Sequence, residues 1–230
     1  MRISRFGGTY VTTPTATKEF AKVNVRTQIV LLEGADAGKY SVKTSVWNPN
    51  GQKLTEQTIP LSQIKYNDNS LSQEFIIQTP TLWSPDMPAL YSAETRLYEG
   101  DQLKDIYTTP FGIRSIEIIP NKGFFLNGEK TVFKGVCNNH HDLGPLGAAV
   151  NDAAIRRQIR ILKDMGCNAI RTSHNMPAPE LVRACDEMGM MLMVESFDEW
   201  NKAKCANGYN LIFRRMGGER PRESGTSLPE

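Results

Sequence analysis

The second half of the chain alternates between helical and strand patterns. Apolar residues recur at helical spacing on both sides of residues 168–175, and Gly166 and Gly189 each supply a stop for a helix. The apolar run 190–194 then predicts a buried strand. Helices and strands in alternation predict a parallel sheet covered by helices. In such sheets ligands bind beyond the carboxyl ends of the strands.

Each predicted helix has its own apolar face. The first begins at a cap formed by Asn151 or Asp152, and the second follows Pro177 and Pro179. The apolar residues expected on one face are Ile155, Ile159, Leu162 and Met165 in the first helix, and Leu181, Val182, Cys185 and Met188 in the second.

The residues 9–119 show strand and turn patterns. Residues 22–30 and 40–47 alternate with a period of two, and residues 48–51 form a hairpin turn. Further strands are predicted at 52–59, 71–78, 91–99 and 102–109. Six or seven short strands within about a hundred residues predict an immunoglobulin-like β-sandwich.

Polar residues follow the predicted parallel strands. They are His140 and His141 after the first strand, Arg171 and His174 after the second, and Glu195, Asp198, Glu199 and Trp200 after the third. Arg171 carries a permanent charge and needs a carboxylate partner, for which Glu195 on the next strand is one candidate. Two histidines beside Asp142 could bind a metal ion, a sugar hydroxyl or only their own loop. Adjacent side chains on an extended chain point in opposite directions, which disfavours the metal.

The pattern Asn168-x-x-Arg171-x-Ser173-His174, followed by Cys185-Asp186-x-x-Gly189, resembles a signature of glycoside hydrolase family 2. This family includes β-galactosidases, β-glucuronidases and β-mannosidases. The resemblance covers about residues 9–213, which correspond to the middle of a full-length enzyme, and is strongest to bacterial β-galactosidases. It implies retaining hydrolysis of terminal β-glycosides in carbohydrate metabolism, with a carbohydrate as the partner and no cofactor.

The resemblance also implies a domain organisation. Residues 1–8 would be an N-terminal extension, 9–119 the sandwich and 120–213 the first three strands of a (β/α)8 TIM barrel. Residues 214–230 do not resemble the family, and their scarcity of apolar residues predicts a disordered tail. Asn127-Gly128 predicts a type I′ hairpin before the barrel, and residues 131–136 its first strand. Trp83 belongs to a Pro-rich loop for which a structural role is expected.

Site residues follow from the same resemblance. His141, with His140 as its alternative, and His174 would contact the sugar, and Arg171 would support the nucleophilic glutamate. Glu195 would shape the site, and Trp200 would stack on a sugar or serve only in packing. Both catalytic glutamates are expected outside this chain. Glu199 lies near a position where some relatives hold a divalent ion, but Asn201 stands near the position of the companion histidine, so the resemblance gives a divalent cation only weak support.

The composition of the chain limits which partners and which covalent links are expected. A net charge of +2 over 230 residues indicates neither nucleic acid nor a membrane surface as partner, and no apolar run is long enough to span a bilayer. Residues 1–8 lack the apolar core of a secretion signal, and the compartment stays unassigned. The four cysteines are expected to be free and mostly buried rather than paired in disulfides. Homo-oligomerisation of the full-length protein is compatible with all of this.

The sequence also allows two other hypotheses about function. The chain could be a non-catalytic carbohydrate-binding or interaction module, for which Trp47 and Tyr40 are the candidates for an exposed aromatic row. The abrupt change in composition after Phe213 would also fit a nonfunctional product of a shifted or truncated gene.

Overall fold

The computed structural model describes residues 2–3, 8–30, 36–63, 70–139, 144–147, 149–200, 202–206, 208, 210 and 212. Contacts divide the chain into two compact units, Met1–Phe133 with Asp186–Gly189, and Lys134–Cys185 with Met190–Glu230. The predicted tail at 214–230 lies outside the described residues. In chain order the elements are β1 (Arg2–Ile3), β2 (Thr9–Ala16), β3 (Phe20–Val30), β4 (Tyr40–Trp47), β5 (Lys53–Pro60), β6 (Ser70–Gln78), β7 (Leu90–Glu99), β8 (Gln102–Gly112), β9 (Ile116–Ile119), β10 (Gly123–Leu126), β11 (Glu129–Lys130), β12 (Gly135–Asn139), α1 (Asp152–Asp164), β13 (Ala169–Ser173), α2 (Pro179–Met188) and β14 (Met191–Val194).

The first unit contains two antiparallel sheets. In one, β3 pairs with β6 along one edge and with β2 and β1 in succession along the other. The second has the order β5-β4-β7-β8. The pairing of β1 with β3 brings Arg2 and Ile3 into the first sheet, ahead of the predicted start of the sandwich at residue 9.

The core of this unit is built from side chains of both sheets. Alternate residues of β3, β4, β6 and β7 are buried, as the period-two pattern requires. One apolar cluster contains Val25, Val46, Phe75 and Ala93 among its members, and a second contains Ile29, Val42, Leu71 and Leu97. Two antiparallel sheets that share a core confirm the predicted immunoglobulin-like sandwich.

A buried polar belt separates the two apolar clusters. On each of the four strands one polar residue lies between members of the two clusters; these residues are Thr27, Thr44, Gln73 and Thr95. The Thr44 hydroxyl donates to Gln73 Oε1 at 2.6 Å, and Gln73 Nε2 donates to the Gln57 carbonyl at 2.9 Å. Gln73 therefore links strands of both sheets through hydrogen bonds.

Trp83 is part of the packing of the first unit. Only 2% of it is exposed, and its indole N–H donates to the Asp186 carbonyl at 2.8 Å. The guanidinium carbon of Arg114 lies 4.9 Å from the centre of its ring. These contacts agree with the expected structural role.

A three-stranded antiparallel sheet of β9, β10 and β11 completes the first unit. Asn127 and Gly128 connect β10 to β11 with φ angles of 53° and 79°. Two consecutive positive φ values are those of a type I′ turn, as predicted.

The second unit contains a parallel sheet in the order β12-β13-β14, with helices α1 and α2 in the connections. This confirms the predicted start of a (β/α)8 barrel. The first strand begins at Gly135, four residues later than predicted. Both the backbone N–H and the carbonyl of Lys134 bond to Asn168, so pairing with β13 starts only after this residue. A Cβ atom at Gly135 would lie 2.0 Å from the Ala169 carbonyl oxygen, so only glycine allows this close approach.

Helix α1 starts as predicted, with Asn151 Oδ1 accepting from the Ala154 N–H at 3.0 Å. Ile155 and Ile159 are buried, but Met165 is exposed because the helix already ends at Asp164. In α2 the buried residues are Leu181, Ala184 and Cys185, whereas Val182, expected on the same face, is exposed.

Strand β14 is less buried than its apolar sequence predicted. Met193 and Val194 are both about half exposed. In the part of the chain that the structure describes, β14 pairs only with β13. The apolar character of residues 190–194 is that of a central strand, although the described structure places it at an edge.

None of the four cysteines, all of which the structure describes, forms a disulfide, as predicted. Cys185 is buried, but Cys137 and Cys205 are exposed, so the expectation that most are buried was wrong. Among the described helices, none combines the length and apolar character needed to cross a bilayer.

Candidate functional site

Alternate residues of the parallel strands face opposite sides of the sheet. Asn138 of β12 donates to Gln158 of α1 at 3.2 Å, so its side is the one that the helix covers. Cys137 and Arg171 are register partners on the other side, and Glu195 follows β14 two residues after Met193, the next partner in the row. Cys137, Arg171 and Glu195 therefore lie on the face away from the helices.

Glu195 is at the centre of a hydrogen-bonded cluster at the carboxyl end of this face. Arg171 Nε donates to its Oε1, and His174 Nδ1 lies 2.8 Å from its Oε2. Its own backbone N–H donates to the Thr172 hydroxyl at 3.0 Å. Both carboxylate oxygens and the backbone of Glu195 are thereby held in place.

Hydrogen bonds within this cluster stabilise the charged forms of Glu195 and Arg171. The hydrogen bond from Arg171, followed by that from His174, lowers the pKa of Glu195 below its ordinary value, and the bond to Glu195 raises the pKa of Arg171. An ionised carboxylate can only accept hydrogen bonds, so His174 Nδ1 carries the proton in this pair. The side chains of Arg171, Glu195 and His174 are 41%, 23% and 45% exposed, so a ligand in solution can reach all three.

Cys137 is a neighbour of the cluster that the sequence pattern did not indicate. Arg171 Nη1 lies 3.6 Å from its sulfur atom. The neighbouring Ser173 hydroxyl, and after it the Arg171 guanidinium, lower the pKa of the thiol. Its position directly opposite Arg171 becomes visible only when β12 and β13 are paired.

The loop after β14 carries the remaining candidates. Asp198 Oδ1 accepts from Lys204 Nζ at 3.0 Å; this bond is the main cause of the lowered pKa of Asp198, to which the charge of His174 also contributes. Trp200 is 57% exposed, and its ring is perpendicular to that of Phe197 at a centroid distance of 5.6 Å. Glu199, in contrast, is buried.

The structure thus brings three of the predicted site residues together. Arg171, His174 and Glu195 form one cluster, and the ion pair between Arg171 and Glu195, one of the two partnerships weighed from the sequence, is present. Trp200 lies five residues beyond Glu195 on the same loop. His141 and its alternative His140 lie outside the described residues.

The cluster can bind hydroxyl groups through its charged and polar atoms, and the exposed indole offers an apolar face. Among the described residues no group of three or more His, Cys, Asp or Glu side chains could hold a metal ion. The aromatic row considered for a binding module is not exposed as a row, because Tyr40 packs against the second apolar cluster of the sandwich and Trp47 is half-buried.

Comparison with known proteins places these observations in a family. The model of glycosyl hydrolases family 2 matches residues 2–114, and the model of the TIM barrel domain of that family matches residues 117–215. Beta-galactosidase BoGH2A of Bacteroides ovatus is 42% identical over 206 residues, which are 90% of this chain and 24% of that protein.

Solved structures give the same picture. A glycosyl hydrolase family 2 member from Bacteroides cellulosilyticus superposes with a TM-score of 0.81 at 36% identity, over 91% of this chain and 27% of that one. A beta-glucuronidase of Bacteroides uniformis has a TM-score of 0.70 at 28% identity, over 86% of this chain and 24% of that one. The chain therefore spans about a quarter of the length of the relatives it matches.

Proposed function

The chain belongs to glycosyl hydrolase family 2, and from this premise we propose that it forms part of a retaining β-glycosidase acting on terminal β-galactosides. The observation that carries the proposal is the cluster of Arg171, His174 and Glu195 beyond neighbouring parallel strands. The carboxyl ends of barrel strands are where enzymes of this architecture bind substrate.

In this proposal the chain supplies residues that bind and orient the sugar. Arg171 and His174 donate hydrogen bonds, Glu195 holds both of them in place, and Trp200 stacks on the apolar face of a sugar ring. His141 joins them because of the family resemblance alone. The stretch from 9 to 119 serves as the sandwich and that from 120 to 213 as the barrel portion, a division supported by the two matched ranges that meet near residue 115.

We assign neither catalytic carboxylate to the described residues. A retaining glycosidase needs two carboxyl groups about 5–5.5 Å apart, one of which holds a proton. Glu195 is bound by Arg171 and His174 and has a lowered pKa, and Asp198 is bound by Lys204 and also has a lowered pKa. These environments favour ionised groups, which are poorly suited to a general acid. Hydrogen bonds to both Glu195 oxygens and to Asp198 Oδ1 also leave these carboxylates poorly placed as the nucleophile.

The pairing of charges also supports a neutral sugar over a uronic acid. A glucuronide needs a cation for its carboxylate, and of the described cations that contact Glu195 or Asp198, Arg171 is paired with Glu195 and Lys204 with Asp198. A galactoside needs only hydrogen bonds to hydroxyl groups. The name of the Bacteroides ovatus relative, a beta-galactosidase, agrees with this preference.

Binding can be tested on the chain itself with two hydrolysis-resistant ligands, an alkyl thio-β-galactoside and the corresponding thio-β-glucuronide. In a titration followed by NMR we expect the His174 and Trp200 signals to move with the galactoside and to move less with the glucuronide. Glu195→Gln should weaken galactoside binding by about tenfold, because charge-assisted hydrogen bonds are lost. Glu117→Gln, at an exposed position of β9, is the matched control. Tighter binding of the glucuronide, or unchanged binding by Glu195→Gln, would contradict the proposal.

Hydrolysis tests the placement of the carboxylates. We expect no turnover of 4-nitrophenyl β-galactoside above the uncatalysed rate by the purified chain. Turnover that disappears in Glu195→Gln or in Glu199→Gln would show that one of the two catalytic carboxylates is here after all.

A further inference from the structure

Glu199 is a buried carboxylate, and its hydrogen-bond donors lie a few residues further along the chain. Only 2% of the residue is exposed. Its Oε1 accepts from the Lys204 backbone N–H at 3.0 Å and from the Cys205 thiol at 3.5 Å, and its Oε2 accepts from the Asn210 N–H at 3.4 Å. Burial of a carboxylate is costly unless donors replace its water, and here backbone groups from five and eleven residues further along the chain supply them.

Gly208 provides an independent observation about the same carboxylate. A Cβ atom at this position would lie 1.8 Å from Glu199 Oε2 and 2.4 Å from its Cδ atom. The loop backbone thus packs directly onto the carboxylate, and any side chain at residue 208 would displace one or the other. Glu199 is therefore in direct contact with Gly208, besides its hydrogen bonds to Lys204, Cys205 and Asn210.

Unlike Glu199, the residue that follows it is largely exposed, and the residue before it is bound to a lysine side chain. Asp198 is bound to Lys204, the residue whose backbone N–H also bonds to Glu199. Trp200 is 57% exposed and contacts Phe197 edge to face. The buried Glu199 therefore directly precedes the exposed Trp200. Because its carboxylate is held in place, Glu199 restricts the motion of the backbone that carries the indole.

We propose that Glu199 is a positioning residue that holds Trp200 at the rim of the site, ready to stack on the sugar ring of a β-glycoside. The inference rests on the proposed function for the identity of the ligand, but the positioning of Trp200 does not require a ligand. Holding the indole in place before binding lowers the conformational entropy lost when the sugar binds. Neither Glu199 nor Gly208 touches the sugar.

Fluorine NMR of the full chain labelled with 5-fluorotryptophan tests the positioning without a ligand. The chain has three tryptophans, Trp47, Trp83 and Trp200, so three signals are expected, and Trp200→Phe assigns one of them. In Glu199→Ala the Trp200 signal should move and sharpen towards that of a mobile exposed indole, whereas the other two stay unchanged and show that the fold is intact. Glu129→Ala, at an exposed position of β11, is the matched control and should leave all three signals in place.

Gly208→Ala tests the same contact from its other side. Because the added methyl group meets the Glu199 carboxylate, this variant should also move the Trp200 signal. In the double variant Glu199→Ala/Gly208→Ala the clash is gone, so its Trp200 signal should match that of Glu199→Ala alone. A Trp200 signal that is unchanged in both single variants would overturn the inference.

Sugar binding separates this inference from the proposed function. With the thio-β-galactoside as probe, Glu199→Ala and Trp200→Ala should each weaken binding about fivefold, the order expected for one stacked ring. The double variant should be no weaker than Trp200→Ala, because Glu199 acts only through Trp200. If the wild-type chain binds no galactoside while Glu199→Ala still releases Trp200, the proposed function is wrong and the positioning stands. If binding is intact and Glu199→Ala leaves both the Trp200 signal and affinity unchanged, the positioning is wrong and the proposed function stands.

Discussion

Glu195 shows how one residue can connect fold stability to the candidate site. It follows β14, yet both its carboxylate oxygens bond to side chains that belong to β13 or come directly after it. Its lowered pKa means that the folded protein favours the ionised form more than the unfolded chain does. The resulting stabilisation is complete above the ordinary carboxyl pKa of 4.5 and is lost as the pH falls below it.

The first prediction concerns this pH dependence. Between pH 7 and pH 3, the free energy of unfolding of wild-type protein should fall more steeply than that of Glu195→Gln, which cannot lose an ionised carboxylate. Urea unfolding followed by far-UV circular dichroism at a series of pH values measures both slopes. Glu117→Gln should retain the wild-type slope. Equal slopes for wild type and Glu195→Gln would show that the hydrogen bonds from Arg171 and His174 contribute no stability.

The second prediction concerns Cys137. The neighbouring Ser173 hydroxyl and Arg171 guanidinium lower the pKa of its thiol, so a larger fraction is thiolate at neutral pH than for an ordinary cysteine. Cys137 should therefore react with iodoacetamide faster than the buried Cys185, and Arg171→Gln should slow the reaction of Cys137 without accelerating that of Cys185. Mass spectrometry of tryptic peptides over time follows each thiol separately. A rate at Cys137 that does not depend on residue 171 would contradict the assigned cause.

At the scale of elements, helix α1 separates what periodicity predicts from what packing decides. Ile155 and Ile159 follow one another by four residues and are fully buried, whereas Ile161, equally apolar, is 41% exposed. The predicted face continued to Met165, but this residue follows the end of the helix and is exposed. The helical period identifies the covered face only as far as the helix extends.

The third prediction follows from that contrast. Ile159→Ala should lower the free energy of unfolding by about 2–5 kcal/mol, because it removes buried methyl groups and leaves a cavity. Ile161→Ala removes the same atoms from a site in partial contact with water and should cost less than about 1 kcal/mol. Urea unfolding at 222 nm, where the helices contribute most of the signal, measures both. Similar costs for the two variants would show that α1 does not pack as described.

At the scale of the whole molecule, the two units bury separate sets of apolar residues. The sandwich contains its own two clusters and the polar belt between them, and the parallel unit buries Ile155, Ile159, Ile170, Leu181 and Met190. Each unit therefore has its own hydrophobic core, as a domain requires.

The fourth prediction is that a change in one core affects one unfolding transition. Thr44→Val leaves Gln73 Oε1 buried without its donor and should destabilise the sandwich by about 1–3 kcal/mol. The near-UV signal of the buried Trp83 should report this loss, whereas hydrogen exchange of the α1 amides, all of which belong to the second unit, should keep its wild-type protection. Thr58→Val, at an exposed position of β5, is the control. An equal loss of stability by both probes would show that the two units unfold together.

Much of the fold was predictable because short-range patterns specify it. Strand β4 was predicted to the residue, since its alternation depends only on which side chains face the core. The type I′ turn at Asn127-Gly128 followed from two residue types that accept positive φ values. The grouping of Arg171, His174 and Glu195 was expected because parallel strands bring their carboxyl ends to one edge.

Other features depended on contacts between residues distant in the sequence. The start of β12 at Gly135 is set by hydrogen bonds between Lys134 and Asn168, which no local pattern encodes. The burial of Glu199 depends on backbone groups up to eleven residues away and on the absence of a side chain at Gly208. Residue type and spacing thus determined the elements and the edge where the polar residues gather. Tertiary structure alone decided at which residue β12 begins to pair with β13 and which carboxylate is buried. Both depend on the free energy of contacts that form only after the chain has folded.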